Sequence, residues 1–240
     1  MNKQTAKKLI NKTRDDYNLI ADQFASTRKF NWGDFAIALR SLHIEKGAKV
    51  LDLGCGNGRV YELLKDLGIK YYGLDISEEL INHAKKSVPN GHFVVSDLLK
   101  TPYDGNEFDL VLSVATLHHI PSGIAREQAL KEIHRILKPE GYVMITAWYF
   151  WNKPNYIQEI LKSYVAILLG RSDLDFNDFF MIWKNGNGDK ITRRYFHAWR
   201  KWELRHALKK AAFVDTKVSL YLKKNKKIGN NLIAIAQKPK

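Results

Sequence analysis

The stretch VLDLGCGNGR, Val50 to Arg59, decides the fold of this chain. Apolar and β-branched residues surround Asp52, and glycines then stand at alternate positions before a helical pattern begins. Such a run predicts a strand buried on both faces that ends in a tight loop. Glycine lets the loop turn sharply and lets a ligand approach the backbone closely. The spacing G-x-G-x-G is neither the dinucleotide fingerprint G-x-G-x-x-G nor a phosphate-binding loop followed by Lys-Ser or Lys-Thr, so both of those alternatives lose weight.

The buried-strand pattern recurs along the chain. Strands are predicted at Ala48–Leu53, Tyr71–Ile76, His92–Asp97, Phe108–Val114 and Tyr142–Trp148. Helices are predicted at Val60–Leu67, Glu78–Ser87, Arg126–Leu137 and Trp202–Ala212. The run KPEG after the third helix is a stop signal, and VDTKVSLYL and NLIAIAQ indicate a closing antiparallel pair. These elements predict an α/β fold with a mostly parallel seven-stranded sheet, helices on both faces and a C-terminal antiparallel hairpin.

Composition narrows the class of partner. The 39 Lys and Arg residues exceed the 25 Asp and Glu residues, which gives a formal net charge of +14. This excess favours a polyanion such as nucleic acid or an anionic membrane surface, although a merely solvated basic surface stays open. The single cysteine, Cys55, excludes an internal disulfide framework and a multi-cysteine zinc site. No apolar stretch is long enough to span a bilayer, and we expect a cytoplasmic protein with no membrane partner and no metal site.

Residues 1–240 are predicted to form one domain, because neither an internal repeat nor a low-complexity linker is visible. Two stretches lie outside the alternating core. The first, at 1–42, has helical character, and the second is an insertion at 149–192.

Polar residues end three of the predicted strands. Asp75 lies at the end of the second strand, where a carboxylate can accept hydrogen bonds from both ribose hydroxyls of a nucleoside. Asp97 ends the third strand and could accept from an adenine amino group, with Leu98 beside the ring. Ser113 lies at the end of the fourth strand. A solvated strand end at Asp75 and a helix cap at Asp97 are the alternatives. We expect these side chains to meet at the carboxyl edge of the sheet, where open α/β folds bind ligands.

The order of these motifs resembles a known superfamily. VLDLGCGNGR, GLDIS, SDLL, FDLVLSVATLHHI and ILKPEGYVMITAW look like the successive motifs of class I S-adenosylmethionine-dependent methyltransferases. The resemblance implies a Rossmann-like methyltransferase fold and S-adenosyl-L-methionine (SAM) as cofactor. It implies that Asp52, Gly54 and Gly56 hold the methionine part, that Asp75 binds the ribose, and that Asp97 with Leu98 binds the adenine. Three further candidates for cofactor binding are Tyr17, Ile76 and Ser113.

The stretches outside the core resemble one family within this superfamily. YNLIADQFASTRKFNW, DFFMIWK and RRYFHAWRKWEL look like segments of the tRNA wobble-uridine carboxymethyl methyltransferases. The chain departs from that pattern at three positions, namely Ile182 for Pro, Phe196 for Tyr, and Trp202 for Gly. The resemblance implies O-methylation of a carboxylate on a wobble uridine, with the anticodon region of tRNA as partner. Some family members work with a small zinc-binding activator subunit that would add a strand beside the sheet.

The family reaction suggests roles for the candidate catalytic residues. Arg28 and Arg194 are predicted to hold the acceptor carboxylate, since arginine grips carboxylates with a two-pronged, charge-assisted geometry. His118 and His119 follow the fourth strand and are predicted to position the acceptor, although both could be structural. For the stretch from Arg193 to Leu204, strand alternation predicts one face in the core and the other on RNA. On this view, stacking or hydrogen bonding to an unstacked base is predicted for two residues, Tyr195 and His197. Packing of both side chains between the acceptor loop and the core is the alternative.

Three other functions remain open at this stage. A methyltransferase for a small molecule, such as a carboxylic acid or a quinone precursor, would share the same core motifs. A second alternative is another carboxylate-bearing uridine, such as an oxyacetic acid. A non-catalytic RNA-binding or scaffold protein on this fold is the third, but it would be expected to lose the cofactor acids, which are present here.

Overall fold

The computed structural model describes residues 1–27, 33–221 and 231–240. Its strands are β1 (Lys49–Leu53), β2 (Lys70–Asp75), β3 (His92–Val95), β4 (Phe108–Val114), β5 (Leu137–Trp148), β6 (Asp178–Lys184), β7 (Lys190–His197), β8 (Val214–Tyr221) and β9 (Asn231–Gln237). One sheet has the order β3-β2-β1-β4-β5-β9-β8. Strands β1 to β5 pair in parallel, whereas β9 is antiparallel to both neighbours. The predicted fold class, a Rossmann-like methyltransferase fold with a closing antiparallel hairpin, is confirmed.

Helices cover both faces of this sheet. They are α1 (Lys3–Leu19), α2 (Ala21–Thr27), α3 (Gly33–Arg40), α4 (Glu78–Ser87), α5 (Gly123–Ile136), α6 (Pro154–Leu168) and α7 (Lys201–Lys210). Side chains of a strand alternate between faces, and β1 shows the result. Leu51 and Leu53 join a core with α5 and α7, while Val50 joins a second core with α3. Among the helices in the described ranges, none has the length and apolar content that a bilayer crossing requires.

The predicted helix Val60–Leu67 and the predicted start of β5 at Tyr142 are wrong. The segment predicted as the helix Val60–Leu67 forms two short 3₁₀ helices, Arg59–Leu63 and Lys65–Leu67. It is bracketed by Gly58 and Gly68, both in the left-handed region with φ of +76° and +65°, a conformation that ends a regular helix. Strand β5 begins at Leu137 and not at Tyr142, because Leu137 pairs with Phe108 before a register shift in the ladder.

A second, two-stranded sheet lies outside the main one. Strands β6 and β7 pair in antiparallel register inside and just after the predicted insertion at 149–192, and the sequence did not predict this hairpin. Phe179 and Phe196 of the hairpin pack with Phe150 and with Ile160 of α6 in a third apolar cluster. The hairpin thereby presents one side of β7 to α1, and this contact carries Arg194 to the site.

Candidate methyl-transfer site

A cavity of about 360 Å³ opens at the carboxyl edge of the parallel strands. Its floor comes from the loop after β1, the end of β2, the residues after β3 and the residues after β4. Helix α1 contributes Ile10, Thr13 and Tyr17 to its wall, and β7 contributes Arg194. Parallel α/β sheets bind ligands at this edge because the loops that follow the strands diverge there.

The glycine loop is shaped by close backbone approach. Gly54 has a φ of +79°, and a Cβ at this position would lie 2.3 Å from the Cγ2 and Oγ1 atoms of Thr116. The hydroxyl of Thr116 donates to the Gly54 carbonyl at 3.3 Å. Gly56 has a φ of +55°, and its N–H donates to Oδ2 of Asp75 at 2.8 Å. The loop therefore tolerates no side chain at Gly54 and ties its backbone to the carboxylate at the end of β2.

Asp75 is fixed from two sides. Its Oδ1 accepts the N–H of Ser77 at 2.9 Å while Oδ2 accepts the N–H of Gly56. Burial raises the pKa of Asp75, and these backbone hydrogen bonds act against that rise. Ser77 in turn donates its hydroxyl to Asn18 of α1 at 2.7 Å. The carboxylate lines the cavity in a fixed orientation, and the same turn anchors α1.

Most residues predicted to bind the cofactor line the cavity. The structure brings together Tyr17, Gly54, Gly56, Asp75, Ile76, Asp97 and Leu98. The Asp97 carboxylate also accepts the N–H of Leu99 at 2.9 Å, which fixes its direction.

Two predicted cofactor contacts need correction, because Asp52 and Ser113 do not line the cavity. Both side chains are fully buried in the sheet. The Tyr71 hydroxyl donates to Oδ2 of Asp52 at 2.8 Å, and Oδ1 of Asp52 has no hydrogen-bond partner. Burial raises the pKa of Asp52 to about 7. The sequence placed Asp52 correctly at the strand, but alternation turns its side chain into the sheet face that holds Tyr71.

A hydrogen-bonded chain organises the other end of the cavity. The Tyr195 carbonyl lies 2.9 Å from Nδ1 of His119, so Nδ1 carries the proton. Burial, followed by the charge of Arg194, lowers the pKa of His119 to about 3 and keeps the ring neutral. Its Nε2 therefore accepts from the Tyr17 hydroxyl at 2.7 Å, and that hydroxyl oxygen accepts from Nη1 of Arg194 at 3.0 Å.

Arg194 is a buried cation, with its side chain among aromatic rings. Its guanidinium carbon lies 4.5 Å from the ring centre of Trp183, 5.2 Å from that of Phe196 and 5.6 Å from that of Tyr17. The residue is only 3% exposed, and its Nε has no hydrogen-bond partner. Within the described part of the chain, no carboxylate forms an ion pair with it. Buried cations are normally paired, so this end of the cavity suits an anion.

His118 also lines the cavity, next to this chain. Its ring stacks on Phe196 with centres 5.2 Å apart, and the backbone N–H of Trp148 approaches its Nδ1 at 3.4 Å. Burial lowers the pKa of His118 well below the usual range of histidine, so the ring is neutral. Neither histidine of this pair is a cation that could hold an anionic group.

The predicted contacts of Tyr195 and His197 with a base are wrong in this structure. Both side chains are buried away from the cavity. His197 bridges two carboxylates, with Nδ1 at 2.7 Å from Asp178 and Nε2 at 2.8 Å from Glu203. The Tyr195 hydroxyl accepts from Nη1 of Arg126 at 3.3 Å.

Alternation failed here because both faces of this end of β7 are covered. The residues from Arg194 to Trp199 are all buried, and Arg194 is the one residue of this run that lines the cavity. The other predicted carboxylate ligand, Arg28, lies outside the described residues.

Some wall residues escaped the sequence analysis. Thr116 stands just after β4, where the carboxyl-edge rule could have identified it. Asn231 and Ile233 begin β9 and reach the cavity only because β9 inserts beside β5. Nothing in the local sequence signals that insertion.

Comparisons with known proteins agree with the fold. A family model described as a methyltransferase domain matches residues 51–145. A putative methyltransferase of Encephalitozoon cuniculi is 32% identical over 181 residues, which cover 75% of this chain and 77% of that protein. A tRNA (carboxymethyluridine(34)-5-O)-methyltransferase of Arabidopsis thaliana is 37% identical over 132 residues, or 55% of this chain. This match spans only 31% of the Arabidopsis protein.

Solved structures show the same fold at lower identity. A SAM-dependent methyltransferase of Methanosarcina mazei superposes with a TM-score of 0.67 at 22% identity, covering 85% of this chain and 97% of that one. A putative methyltransferase of Haloferax volcanii, solved in complex with the Trm112 methyltransferase activator, superposes with a TM-score of 0.66 at 20% identity. That match covers 95% of this chain and 98% of the other. From its sheet order, its glycine loop and these relatives, the chain belongs to the class I SAM-dependent methyltransferases.

Proposed function

We propose that this methyltransferase esterifies the carboxylate of a 5-carboxymethyl-type wobble uridine in tRNA. The observation that carries the proposal is Arg194, a buried cation that lines the acceptor end of the cavity without a carboxylate partner among the described side chains. An anionic acceptor group would supply that missing partner. Planar guanidinium matches planar carboxylate, and the pair forms charge-assisted hydrogen bonds.

The rest of the cavity fits SAM. The Gly54–Gly56 backbone, where a Cβ on Gly54 would clash with Thr116, leaves room for the methionine part. The fixed carboxylate of Asp75 suits ribose hydroxyls, and Asp97 with Leu98 suits an adenine edge and face. When bound, SAM supplies a methyl group activated by its sulfonium. We propose these residues as its ligands.

The protein's own part in the reaction is alignment. A carboxylate is ionised at neutral pH, so no side chain has to remove a proton from it. His119 is unsuited to act as a base, because its pKa is lowered to about 3 and both of its nitrogens are engaged. It holds Tyr17, and Tyr17 holds Arg194. Fixed orientation of reacting groups can supply roughly 7–11 kcal/mol of barrier reduction.

The tRNA substrate has support beyond the cavity. The Arabidopsis relative is named for methylation of carboxymethyluridine in tRNA. The formal net charge of +14 suits a polyanion, since phosphate contacts draw on lysine and arginine. The buried thiol of Cys55 fits a reducing compartment such as the cytoplasm, where this reaction is proposed to take place.

A small zinc-binding activator subunit is proposed as a second partner. The Haloferax methyltransferase of similar fold was solved with an activator protein. In this chain β3 is an edge strand of the main sheet, and His92 and Val95 are exposed on it. An edge strand offers unpaired backbone groups to which another chain can add a strand.

The test is a methyl-transfer assay with isotopically labelled SAM and bulk tRNA from cells that lack wobble carboxymethyl methylation. The RNA is digested to nucleosides and analysed by mass spectrometry, with and without an added activator subunit. We expect a labelled methyl ester on carboxymethyluridine that mild alkali removes. Label on another nucleoside, or only on small carboxylic acids offered in parallel, would overturn the proposed acceptor.

A further inference from the structure

The outer face of α7 carries exposed aromatic and basic side chains that are not part of the methyl-transfer site. Trp202 is 66% exposed, although tryptophan is strongly buried on average. Arg205, His206 and Lys209 follow at spacings of three, four and seven residues, so they share its helix face. All three are exposed. A large aromatic ring thus stands in water with positively charged or titratable neighbours on the same face.

The cations form a row along the helix. Lys201, Arg205 and Lys209 are four residues apart, which places successive charges about 6 Å apart at 1.5 Å per residue. Like charges at this spacing destabilise a helix slightly, by about 0.2–0.5 kcal/mol per pair. Among the described side chains, none of the three forms an ion pair with a carboxylate. The charges of the row therefore repel each other slightly and are available to an anionic partner.

The acid of α7 does not neutralise this face. Glu203 is the helix's one acidic residue. It turns inward and binds Nε2 of His197 at 2.8 Å and the backbone N–H of Arg200 at 3.2 Å. His197 is itself tied to Asp178 of the hairpin. These bonds hold the start of α7 rigidly to β7, the strand that carries Arg194.

Topology places the start of α7 toward the cavity. Strand β8 runs parallel to β5, because both are antiparallel to β9. Helix α7 ends just before β8 begins, so its last turn lies toward the amino edge and its first turn toward the carboxyl edge. Trp202 is eight residues beyond Arg194, at most about 29 Å away along an extended chain. This distance is shorter than one helical turn of a nucleic-acid duplex, which is about 34 Å long.

We infer that this face, formed by Lys201, Trp202, Arg205, His206 and Lys209, binds the RNA substrate outside the catalytic cavity. The cation row contacts backbone phosphates, and Trp202 stacks on an unpaired base. Single-stranded RNA is recognised by such stacking beside basic side chains. The inference rests on the proposed tRNA substrate and adds to it a surface with a defined role.

An anionic membrane is the less suitable occupant. Helices that lie in a membrane interface insert an apolar face among the lipids. In α7 the apolar face is used within the protein, since Leu204 and Leu208 are fully buried in the core with α5 and the sheet. Trp202 alone remains on the outer face as a large apolar group.

The test measures binding of an unmodified tRNA transcript by fluorescence anisotropy at several salt concentrations. We expect the triple variant Lys201→Gln, Arg205→Gln, Lys209→Gln to lose at least about tenfold in affinity, with a salt slope lower by about 2, at about 0.7 per phosphate contact. Trp202→Ala should lose about fivefold or more with its salt slope unchanged, because stacking is not electrostatic, while Trp202→Phe should keep most of the affinity.

A matched triple variant controls for net charge. Lys46→Gln, Lys65→Gln, Lys70→Gln removes the same charge from exposed residues near the amino ends of β1 and β2, at the edge opposite the cavity. The unfolding midpoint and SAM affinity serve as folding controls for all variants. Equal losses from both triple variants would overturn the inference, since net charge would then explain the effect.

Binding and methylation are read separately, so the two proposals can fail independently. If the wild type binds tRNA through α7 but methylates another acceptor, the proposed reaction fails and the surface stands. If tRNA is methylated while the α7 variants bind as the wild type does, the surface fails and the reaction stands. Binding to phosphatidylserine vesicles that the α7 variants lose, with RNA binding unchanged, would overturn the RNA inference in favour of a lipid surface.

Discussion

Arg193 and Arg194 are neighbours on β7 in opposite environments. The side chain of Arg194 points toward α1, where the Tyr17 hydroxyl accepts its hydrogen bond. Arg193 is exposed on the other side of the strand, with its guanidinium carbon 5.4 Å from the ring centre of Phe180. The two arginines therefore differ in location although they have the same chemistry. Arg194 lies in the cavity wall, and Arg193 lies on the surface.

We expect Arg194→Met to lower kcat/KM for methyl transfer by about 10²–10³-fold, because truncating one member of a buried charge pair costs about 2–5 kcal/mol. Arg193→Met should change kcat/KM by less than about threefold and serves as the matched control. Without acceptor, Arg194→Met should unfold at the same temperature as the wild type or higher, since an unpaired buried cation is removed. A large loss of stability with little loss of activity would assign Arg194 a structural role.

Asp52 gives a prediction about pH. Its folded pKa is raised to about 7 by burial, from an ordinary value of 3.8. Between these values the folded protein holds a proton that the unfolded chain has lost, so stability falls as pH rises from about 4 to about 7. Asp52→Asn keeps an oxygen for the Tyr71 hydroxyl and has no charge to bury. Its free energy of unfolding, relative to wild type, should grow by about 2–3 kcal/mol from pH 5 to pH 8, at about 1.4 kcal/mol per pKa unit.

Urea unfolding of both proteins at the two pH values measures this difference. If the two proteins differ in free energy of unfolding by the same amount at both pH values, the Asp52 carboxyl does not titrate as its burial implies. A SAM titration of the same variant tests separately whether Asp52 contacts the cofactor. If Asp52 holds the cofactor only through the fold of the sheet, the variant should bind SAM with nearly unchanged affinity.

At the scale of elements, the local sequence pattern predicts the structure of a segment whose own residues determine its conformation and burial. The strand before the glycine loop is buried on both faces, and Gly54 needs a positive φ, so the β1 turn could be predicted. The environment of the end of β7 could not be predicted in this way. Its residues Tyr195 and Phe196 are buried on opposite faces by α5 and by α6, which are distant in sequence. Alternation shows which residues share a face and gives no information about what covers that face.

Helix α1 shows how distant elements assemble the site. Asp16 accepts the Thr192 hydroxyl of β7 at 2.6 Å, and Asn18 accepts the Ser77 hydroxyl at 2.7 Å. The helix is therefore attached both to the strand that carries Arg194 and to the turn that fixes Asp75. Ser77 also caps α4, accepting the N–H of Leu80 at 3.2 Å.

We expect Ser77→Ala to destabilise the protein and to loosen α1. Loss of an N-cap costs about 1 kcal/mol, or about 2–4 °C in the unfolding midpoint for a chain of this size. Ser122→Ala is the matched control, since Ser122 caps α5 through the N–H of Ala125 at 3.1 Å and forms no side-chain hydrogen bond with the described residues of α1. Limited trypsin digestion should cleave at Lys12 and Arg14 of α1 faster in Ser77→Ala only. Equal cleavage in the two variants would mean that Ser77 does not anchor α1.

At the scale of the whole molecule, the cavity links distant parts of the chain. Its wall includes Tyr17, Gly54, Arg194 and Asn231, which belong to α1, the β1 loop, β7 and β9. SAM at its proposed ligands would join α1, the loop after β1 and the end of β2 through Tyr17, Gly54 and Asp75, and would stabilise these elements as a unit. The binding free energy of SAM should therefore appear in global unfolding.

SAM at a hundred times its Kd should raise the free energy of unfolding by about 2.7 kcal/mol, and the midpoint by about 5–10 °C. Gly54→Ala should abolish this rise, because its Cβ would lie 2.3 Å from the Thr116 side chain. Gly170→Ala is the control, since Gly170 also has a positive φ, +67°, but no atom within 4 Å of the added Cβ. Calorimetry with and without SAM measures both, and an intact rise in Gly54→Ala would place the cofactor elsewhere.

The position of β9 has a consequence for biosynthesis. It follows β8 in the chain, yet it lies inside the sheet between β5 and β8. Synthesis of the roughly 80 residues between the end of β5 and the start of β9 takes about 4–16 s at 5–20 residues per second. During that interval the β5 edge, with the apolar residues Met144 and Ile145, has no strand beside it. An exposed strand edge can pair with a strand of another chain. We therefore expect the yield of native enzyme to fall when many copies of the chain are synthesised close together.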